Sequence, residues 1–347
     1  VSSALRGVNL GGWLVLEKWI TPSLFEGTNA VDEYTFSAGG EAAQQKLRAH
    51  HDTFITEADF AWLQAKGIQA VRLPIGYWVF GDAAPYVWTV EYVDRAFGWA
   101  AKHNIKILLD LHAASGSQNG RDHSGRLGAV GWAKDEANII LTLEVIKRLA
   151  MRYSKDPQLL GISLLNEPQS RMSKSVLTRY YQAAYAIIRD KCGPDVWVVF
   201  SDGFRPRRWR NVLHSARFQN VFIDTHHYQC FSWWDKHHGI GWHLKKAAGA
   251  VPRSLAKMSL DHPVIVGEWS LALTPARTGY LSPEQVDELN RAYGAAQLLA
   301  YDQAKAWFFW TYRSDGSPTW SYRDCVGRDW LPTEPPETGN NLKTSSS

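Results

Sequence analysis

The chain has 347 residues, 45% of them hydrophobic and 21% charged, with a formal net charge of +4. That balance excludes a disordered tail or a collagen-like fibre, and the small positive excess is not the concentrated basic patch of a nucleic-acid binder. No run approaches the ~18 apolar residues of a membrane helix, and the opening VSSALRGVNL carries neither a basic nor an apolar leader pattern, so no membrane partner is expected.

Eight apolar or β-branched runs read as strands. In chain order they are GVNLGG (7–12), AVRLPI (70–75), IKILLDLH (105–112), GISLLNE (161–167), VWVVFSD (196–202), VFIDTHHY (221–228), PVIVGEW (263–269) and AWFFWTY (306–312). Between them, helix-like patterns fall at 56–66, 90–104, 137–153, 175–192 and 283–304. Strand and helix alternate without an internal repeat or a Pro/Gly/Ser-rich linker. This order predicts an α/β protein with one (β/α)8 TIM barrel over residues 1–330, long loops at the catalytic face, and a loose tail over 331–347 around TEPPET.

Aromatic content is the compositional outlier, with 17 Trp, 14 Tyr and 13 Phe. Flat aromatic rings suit the C–H faces of sugars, although they also serve cores and protein interfaces. Cys192, Cys230 and Cys325 are an odd number at long spacing, which fits free thiols better than a disulfide framework or a zinc site.

In a barrel of this kind reactive groups sit at the C-terminal ends of the strands. Reading those ends gives Asn9, Arg72, Asp110 with His112, Asn166 with Glu167, Asp202, His226 with Tyr228, Glu268, and Trp310. Buried charges need partners, so this many polar ends in one mouth imply mutual pairing or a polar substrate. Glu167 and Glu268 end the fourth and seventh strands and face each other across the barrel. Glycoside hydrolysis needs such a pair, one acid to protonate the leaving oxygen and one carboxylate to attack, and a cation such as Arg72 would keep the latter ionised. Either glutamate alone could be a structural ion-pair residue, and His112 or His226 alone a capping histidine. The pairs His50–His51, His226–His227 and His237–His238 lack the i, i+4 spacing of a helical zinc site, so neither metal nor other cofactor is expected.

The segments RGVNLGGWLVLEKWITPSLFE, VRLPIGYW, LDLHAASGSQNG, LLNEP, HHYQCF, VGEWSLALT and FFWTYRSDGSPTW together resemble glycoside hydrolase family 5, in particular its exo-β-1,3-glucanase branch. The resemblance implies a retaining mechanism with Glu268 as nucleophile and Glu167 as acid/base. It also implies that Arg72, His112, Asn166, His226, Tyr228 and Trp310 build the −1 subsite, with Asn166 on the sugar 2-hydroxyl and Trp310 under the ring. Glu17 would bind the non-reducing glucose, and Phe231 would be half of an aromatic clamp on the acceptor side. Where the branch follows GSQNG with Phe-Asp-Asn, this chain has Arg121-Asp122-His123, so Arg121 and Asp122 join the substrate-binding set and a guanidinium replaces one ring. Arg205, Arg207 and Arg208 are a solvated turn or a further basic wall of the same face, and the stretch 273–304 lacks the long insert of the fungal enzymes.

The expected activity is therefore release of glucose from non-reducing ends of a β-1,3-glucan by a monomeric, secreted or cell-envelope enzyme, with transglycosylation as a side reaction. The competing readings are a β-glucosidase or diglycosidase acting on aryl or disaccharide glucosides, a non-catalytic glucan-binding barrel, and a single-stranded nucleic-acid platform.

Overall fold

The computed structural model describes residues 4–214 and 217–333, leaving aside the side chains of Pro275 and Arg277. Eight parallel strands close into a barrel in sequence order: β1 Leu5–Asn9, β2 Ala70–Gly76, β3 Lys106–Ala113, β4 Leu159–Ser163, β5 Trp197–Ser201, β6 Val221–His227, β7 Val264–Trp269 and β8 Ala306–Phe309. β1 pairs with β8, Leu5 opposite Ala306, which closes the ring. The helices Glu57–Ala65, Val90–Lys102, Glu136–Tyr153, Lys174–Cys192 and Pro283–Tyr301 match the amphipathic patterns of the sequence.

The period of two along each strand sorts the side chains. On β3, Ile107, Leu109 and Leu111 face the outer shell of helices, whereas Leu108 joins Ala70, Val199, Phe222, Ile265, Ala306 and Phe308 inside the barrel. The inner face then turns polar towards the top, where Asp110 and His112 continue the row that Leu108 begins. Gly7 is a glycine because a Cβ there would lie 2.3 Å from the Phe308 ring.

The alternation is broken on β7. Thr225 of β6 pairs with Val266 and His226 with Glu268, so Gly267 is an extra residue, a β-bulge. Ile265 faces inward and Trp269 packs outward; the bulge between them aims Glu268 into the mouth. A Cβ on Gly267 would meet Asp224 Oδ1 at 2.1 Å, the same oxygen that accepts the Gly267 N–H at 2.8 Å.

Several boundaries differ from the sequence expectation. β4 stops at Ser163, so Asn166 and Glu167 lie on the loop beyond it; Leu164 and Leu165 are still buried in the outer core, and Glu167 has a φ of +41°, which no strand continues. Trp310 likewise lies one residue past β8. The helix Glu41–Thr53 was not among the expected ones because only Leu47 and His51 of its side chains are buried, and the helical run between Trp233 and Met258 is interrupted at His238 and Gly239 and passes through a π-helical turn at 246–250. Trp330 and Leu331 pack into the core and Arg6 Nη2 donates to the Thr333 carbonyl at 3.2 Å; residues 334–347 of the expected tail lie outside the described residues. All three cysteines are free.

Candidate active site

The barrel mouth opens into a cavity of about 850 Å³. Glu17, His112, Arg121, Asp122, Asn166, Glu167, His226, Tyr228, Phe231, Glu268 and Trp310 all line it, so the structure brings every expected site residue but one to a single surface. The exception is Arg72, fully buried beneath the floor.

From that position Arg72 organises the site. Nη1 donates to Asn9 Oδ1 at 2.9 Å and to Glu268 Oε1 at 3.0 Å, while Nη2 donates to Asn166 Oδ1 at 2.8 Å and lies 3.0 Å from Asp110. Burial opposes the guanidinium charge, but Asp110, Glu268 and Asp224 outweigh it and hold the group cationic. The network continues upward. Asp110 accepts from His112 Nδ1 at 2.6 Å, which leaves His112 Nε2 to accept from Asn166 Nδ2 at 3.4 Å. Trp310 lies parallel to the His112 ring, with centroids 5.4 Å apart.

The two glutamates meet at His226. Its Nδ1 is 2.7 Å from Glu167 Oε1 and 3.3 Å from Glu268 Oε2, and its Nε2 is 3.4 Å from Asp224. One oxygen of each carboxyl lies within 4.8 Å of the other. Burial works against a charged imidazole, yet Glu268 and Asp224 hold His226 well above its ordinary range. Burial likewise works against a charged Glu167, yet the hydrogen bond and charge of His226, with His123, hold that carboxyl down at about 2. Burial pushes Glu268 the other way, upward, and the charge of Glu167 adds to it, against His226 and Arg72. Glu268 accepts from Arg72 at 3.0 Å and from the Tyr228 hydroxyl at 2.8 Å, contacts that favour its carboxylate form, and burial with the nearby carboxylates keeps that phenol protonated. Glu167, His226 and Glu268 are also close enough to hold a metal ion; the guanidinium and the imidazole proton already meet the charge of these carboxylates.

Glu17 closes one end of the cavity. Its Oε2 accepts from Trp19 Nε1 at 2.8 Å, and its buried Oε1, 4.0 Å from His112 Nε2, has no hydrogen-bond partner in the protein, which leaves it for a hydroxyl. Burial and Asp122 push this carboxyl well above the usual range.

Six lining residues were not assigned from the sequence: Trp19, His123, Phe204, Ser232, Asp235 and Trp320. Trp320 touches Trp19 edge-on at 5.1 Å and lies 5.3 Å from Tyr228. His123 Nε2 is 3.5 Å from Glu167 Oε2, and burial holds its pKa down at about 4. The basic run after β5 takes a different place from the wall considered for it. Arg205 and Arg208 donate to the backbone carbonyls of Ser170 and Met172, and the residue of that loop lining the cavity is Phe204. Asp202 is buried below, bonded by Thr225 and the Phe204 N–H.

Residues 31–316 match the family model described as Cellulase (glycosyl hydrolase family 5). A relative from Aspergillus niger named "Probable glucan 1,3-beta-glucosidase A" is 36% identical over an alignment of 375 positions that covers 96% of this chain and 88% of the relative. One of the same name from Emericella nidulans is 37% identical, covering 96% and 91%. These alignments exceed the length of this chain, so the relatives carry segments without a counterpart here. Among solved structures, the rutinosidase from Aspergillus niger superposes with a TM-score of 0.79 at 21% identity, covering 95% of this chain and 98% of that one, which bears on the fold alone. With a closed eight-strand barrel, paired carboxylates at its mouth and a family match over most of its length, the chain belongs to glycoside hydrolase family 5.

Proposed function

We propose that this glycoside hydrolase is a retaining exo-β-1,3-glucanase that releases glucose from the non-reducing ends of β-1,3-glucan. The observation that carries the mechanism is the approach of the Glu167 and Glu268 carboxyl oxygens to within 4.8 Å. That is the spacing of direct attack; an inverting pair stands roughly 6.5–9.5 Å apart to admit a water between them. The relatives' names support the linkage, and Glu17 with its free acceptor supports an end-on pocket for the last glucose.

In the first step a Glu268 oxygen attacks the anomeric carbon, the bond to the leaving oxygen breaks, and that oxygen takes a proton from Glu167. Before substrate binds, the charges of Glu268 and Asp224 favour this proton on His226, across the 2.7 Å hydrogen bond to Glu167. The charge of Glu268 is a leading reason for that preference. As Glu268 forms its bond to carbon that charge is lost, the imidazole's hold weakens, and the proton crosses to Glu167 as the leaving group needs it. Water then attacks the glycosyl-enzyme, its proton returns to the Glu167–His226 pair, and Glu268 is released. A sugar hydroxyl in place of water gives transglycosylation. Asn166 and Trp310 hold the reacting ring, Arg121, Asp122 and Phe231 meet the acceptor, and every group needed comes from one chain, so a monomer is a complete enzyme. We place it outside the cell or in its envelope, where such a polymer is met.

The test is laminaripentaose labelled at its reducing end. Native protein should release β-glucose first and leave labelled tetrasaccharide, and Glu268→Gln should lower kcat by about 10³-fold or more. Labelled products of mixed length would replace the exo assignment with an open, endo-acting cleft. Cleavage of aryl or disaccharide glucosides alone would favour the diglycosidase reading that the rutinosidase-like fold keeps in view.

A further inference from the structure

Three of the most exposed aromatic side chains among the described residues follow one another at the rim of the cavity. Phe231 is 65% exposed, Trp233 61% and Trp234 60%, and these two indoles are the most exposed of the chain's described tryptophans. Leaving such rings in water is unfavourable unless something covers them.

Their setting is continuous with the site. Tyr228, bonded to Glu268, touches Phe231 edge-on at 5.4 Å, and Ser232 and Asp235, between and beside the exposed rings, line the cavity. Beyond them the row goes on: Trp233 to Trp234 at 4.9 Å, Trp234 to His238 at 5.7 Å, and His238 stacked on Trp242 at 4.5 Å. The rings are held in advance. His237 stacks on Trp233 at 4.2 Å and its Nδ1 donates to the Trp233 carbonyl; His238 does the same to the Trp234 carbonyl. Ser232 and Asp235 cap the short helix Trp233–His237 reciprocally, and Lys246 pins Asp235 at 2.7 Å. Little side-chain freedom remains to be lost on binding.

We propose that the row from Phe231 through Trp233 and Trp234 is a binding surface for the acceptor-side portion of a long β-glucan, beyond the reach of a disaccharide. The inference rests on the glucanase reading above. Interleaved imidazoles and apolar indole faces match a sugar chain, which presents C–H faces and hydroxyls in alternation. The row also begins inside the site, since Phe231 lines the cavity beside Tyr228 and lies 6.0 Å from Trp320.

The test compares a Trp233→Ala/Trp234→Ala double variant with native enzyme on laminarin, laminaribiose and p-nitrophenyl β-glucoside. We expect KM for laminarin to rise about five- to tenfold, as the loss of one or two stacking contacts would give, with the two small substrates unchanged and Trp233→Phe/Trp234→Phe in between. An unchanged KM for laminarin overturns the inference, and so does an equal loss on all three substrates, which would make the rings structural. A native dimer that the double variant dissolves in sedimentation would make a second copy the occupant, which also overturns it. If native enzyme cleaves the aryl glucoside but not laminarin, the glucanase reading fails, and Glu268→Gln protein run through a laminarin-containing gel decides the surface separately. Retardation abolished by the double variant supports it; absence of retardation overturns it.

Discussion

Arg121 marks the point where this site departs from the branch it resembles. It is exposed on the cavity wall, in the loop before the single turn Asp122–Ser124, where that branch carries a phenylalanine. A guanidinium can lie on a sugar face, but it adds charge and donors that a neutral glucan does not require. Arg121→Phe should therefore lower KM for laminaribiose and laminaritriose about two- to fivefold, on the order of 0.5–1 kcal/mol for a restored ring contact, with p-nitrophenyl β-glucoside unaffected; equal KM values in both proteins would remove Arg121 from the acceptor side. At this scale the sequence was most informative where a polar residue ended an apolar run. Glu167, Glu268, His112 and His226 stand out because their neighbours are all core. Trp19 and Trp320 do not, because two indoles among 17 carry no mark of which face a loop will turn inward. His123 was visible only as a departure in a motif, and its approach to Glu167 depends on the fold of the turn that carries it.

Among the elements, β7 shows how local backbone geometry governs chemistry. Strict alternation would send residue 268 outward to the helices; the bulge at Gly267 turns it to the mouth, and Asp224, which accepts the Gly267 N–H, also faces Arg72 and His226. Gly267→Ala would drive a methyl group into that carboxylate and shift the groups around Glu268. We expect kcat/KM on p-nitrophenyl β-glucoside to fall about 10²-fold, the usual consequence of an ångström-scale misplacement, while circular dichroism still reports a folded barrel; near-native kinetics would show that the strand has room to adjust. The strands themselves were legible as continuous apolar runs because they are apolar on both faces over most of their length. The bulge was not, since VIVGEW reads as an ordinary strand until its pairing with β6 is known. The same holds for the loop after β4, where the apolar Leu164 and Leu165 extend a strand-like pattern past the last ladder residue.

For the molecule as a whole, pH enters stability through groups far from the reaction. Glu33 is fully buried, accepts from the Leu16 N–H at 2.8 Å through Oε2, and has no partner at Oε1; burial pushes its pKa from 4.5 up to about 8. Between those values the folded protein keeps a proton that the unfolded chain has released, so stability falls as pH rises from 4.5 to 8 and then levels off. Glu33→Gln retains the acceptor and removes the titration, and should gain on the order of 4 kcal/mol over native protein at pH 8 but not at pH 4.5, read from urea melts across that range. Parallel curves would exclude Glu33 as the source. The barrel was legible at this scale from the count and order of its elements, whereas the buried Glu33 was not, because its burial follows from how the β1–β2 connection folds over the barrel.

The seam between β1 and β8 carries a consequence for how the enzyme comes into being. Asn9 Nδ2 donates across it to the carbonyls of Gly267, Phe308 and Phe309 at 2.9, 3.3 and 3.2 Å, and Asn9 Oδ1 accepts from the same Arg72 nitrogen that binds Glu268. During synthesis Asn9 meets the Phe308 and Phe309 carbonyls only after β8 has left the ribosome, whereas the partners of Arg72 at Asp110, Asn166 and Glu268 are made earlier. A nascent fragment ending before β8 therefore contains both glutamates but lacks Trp310 of the cavity wall and two of the three carbonyls that Asn9 binds.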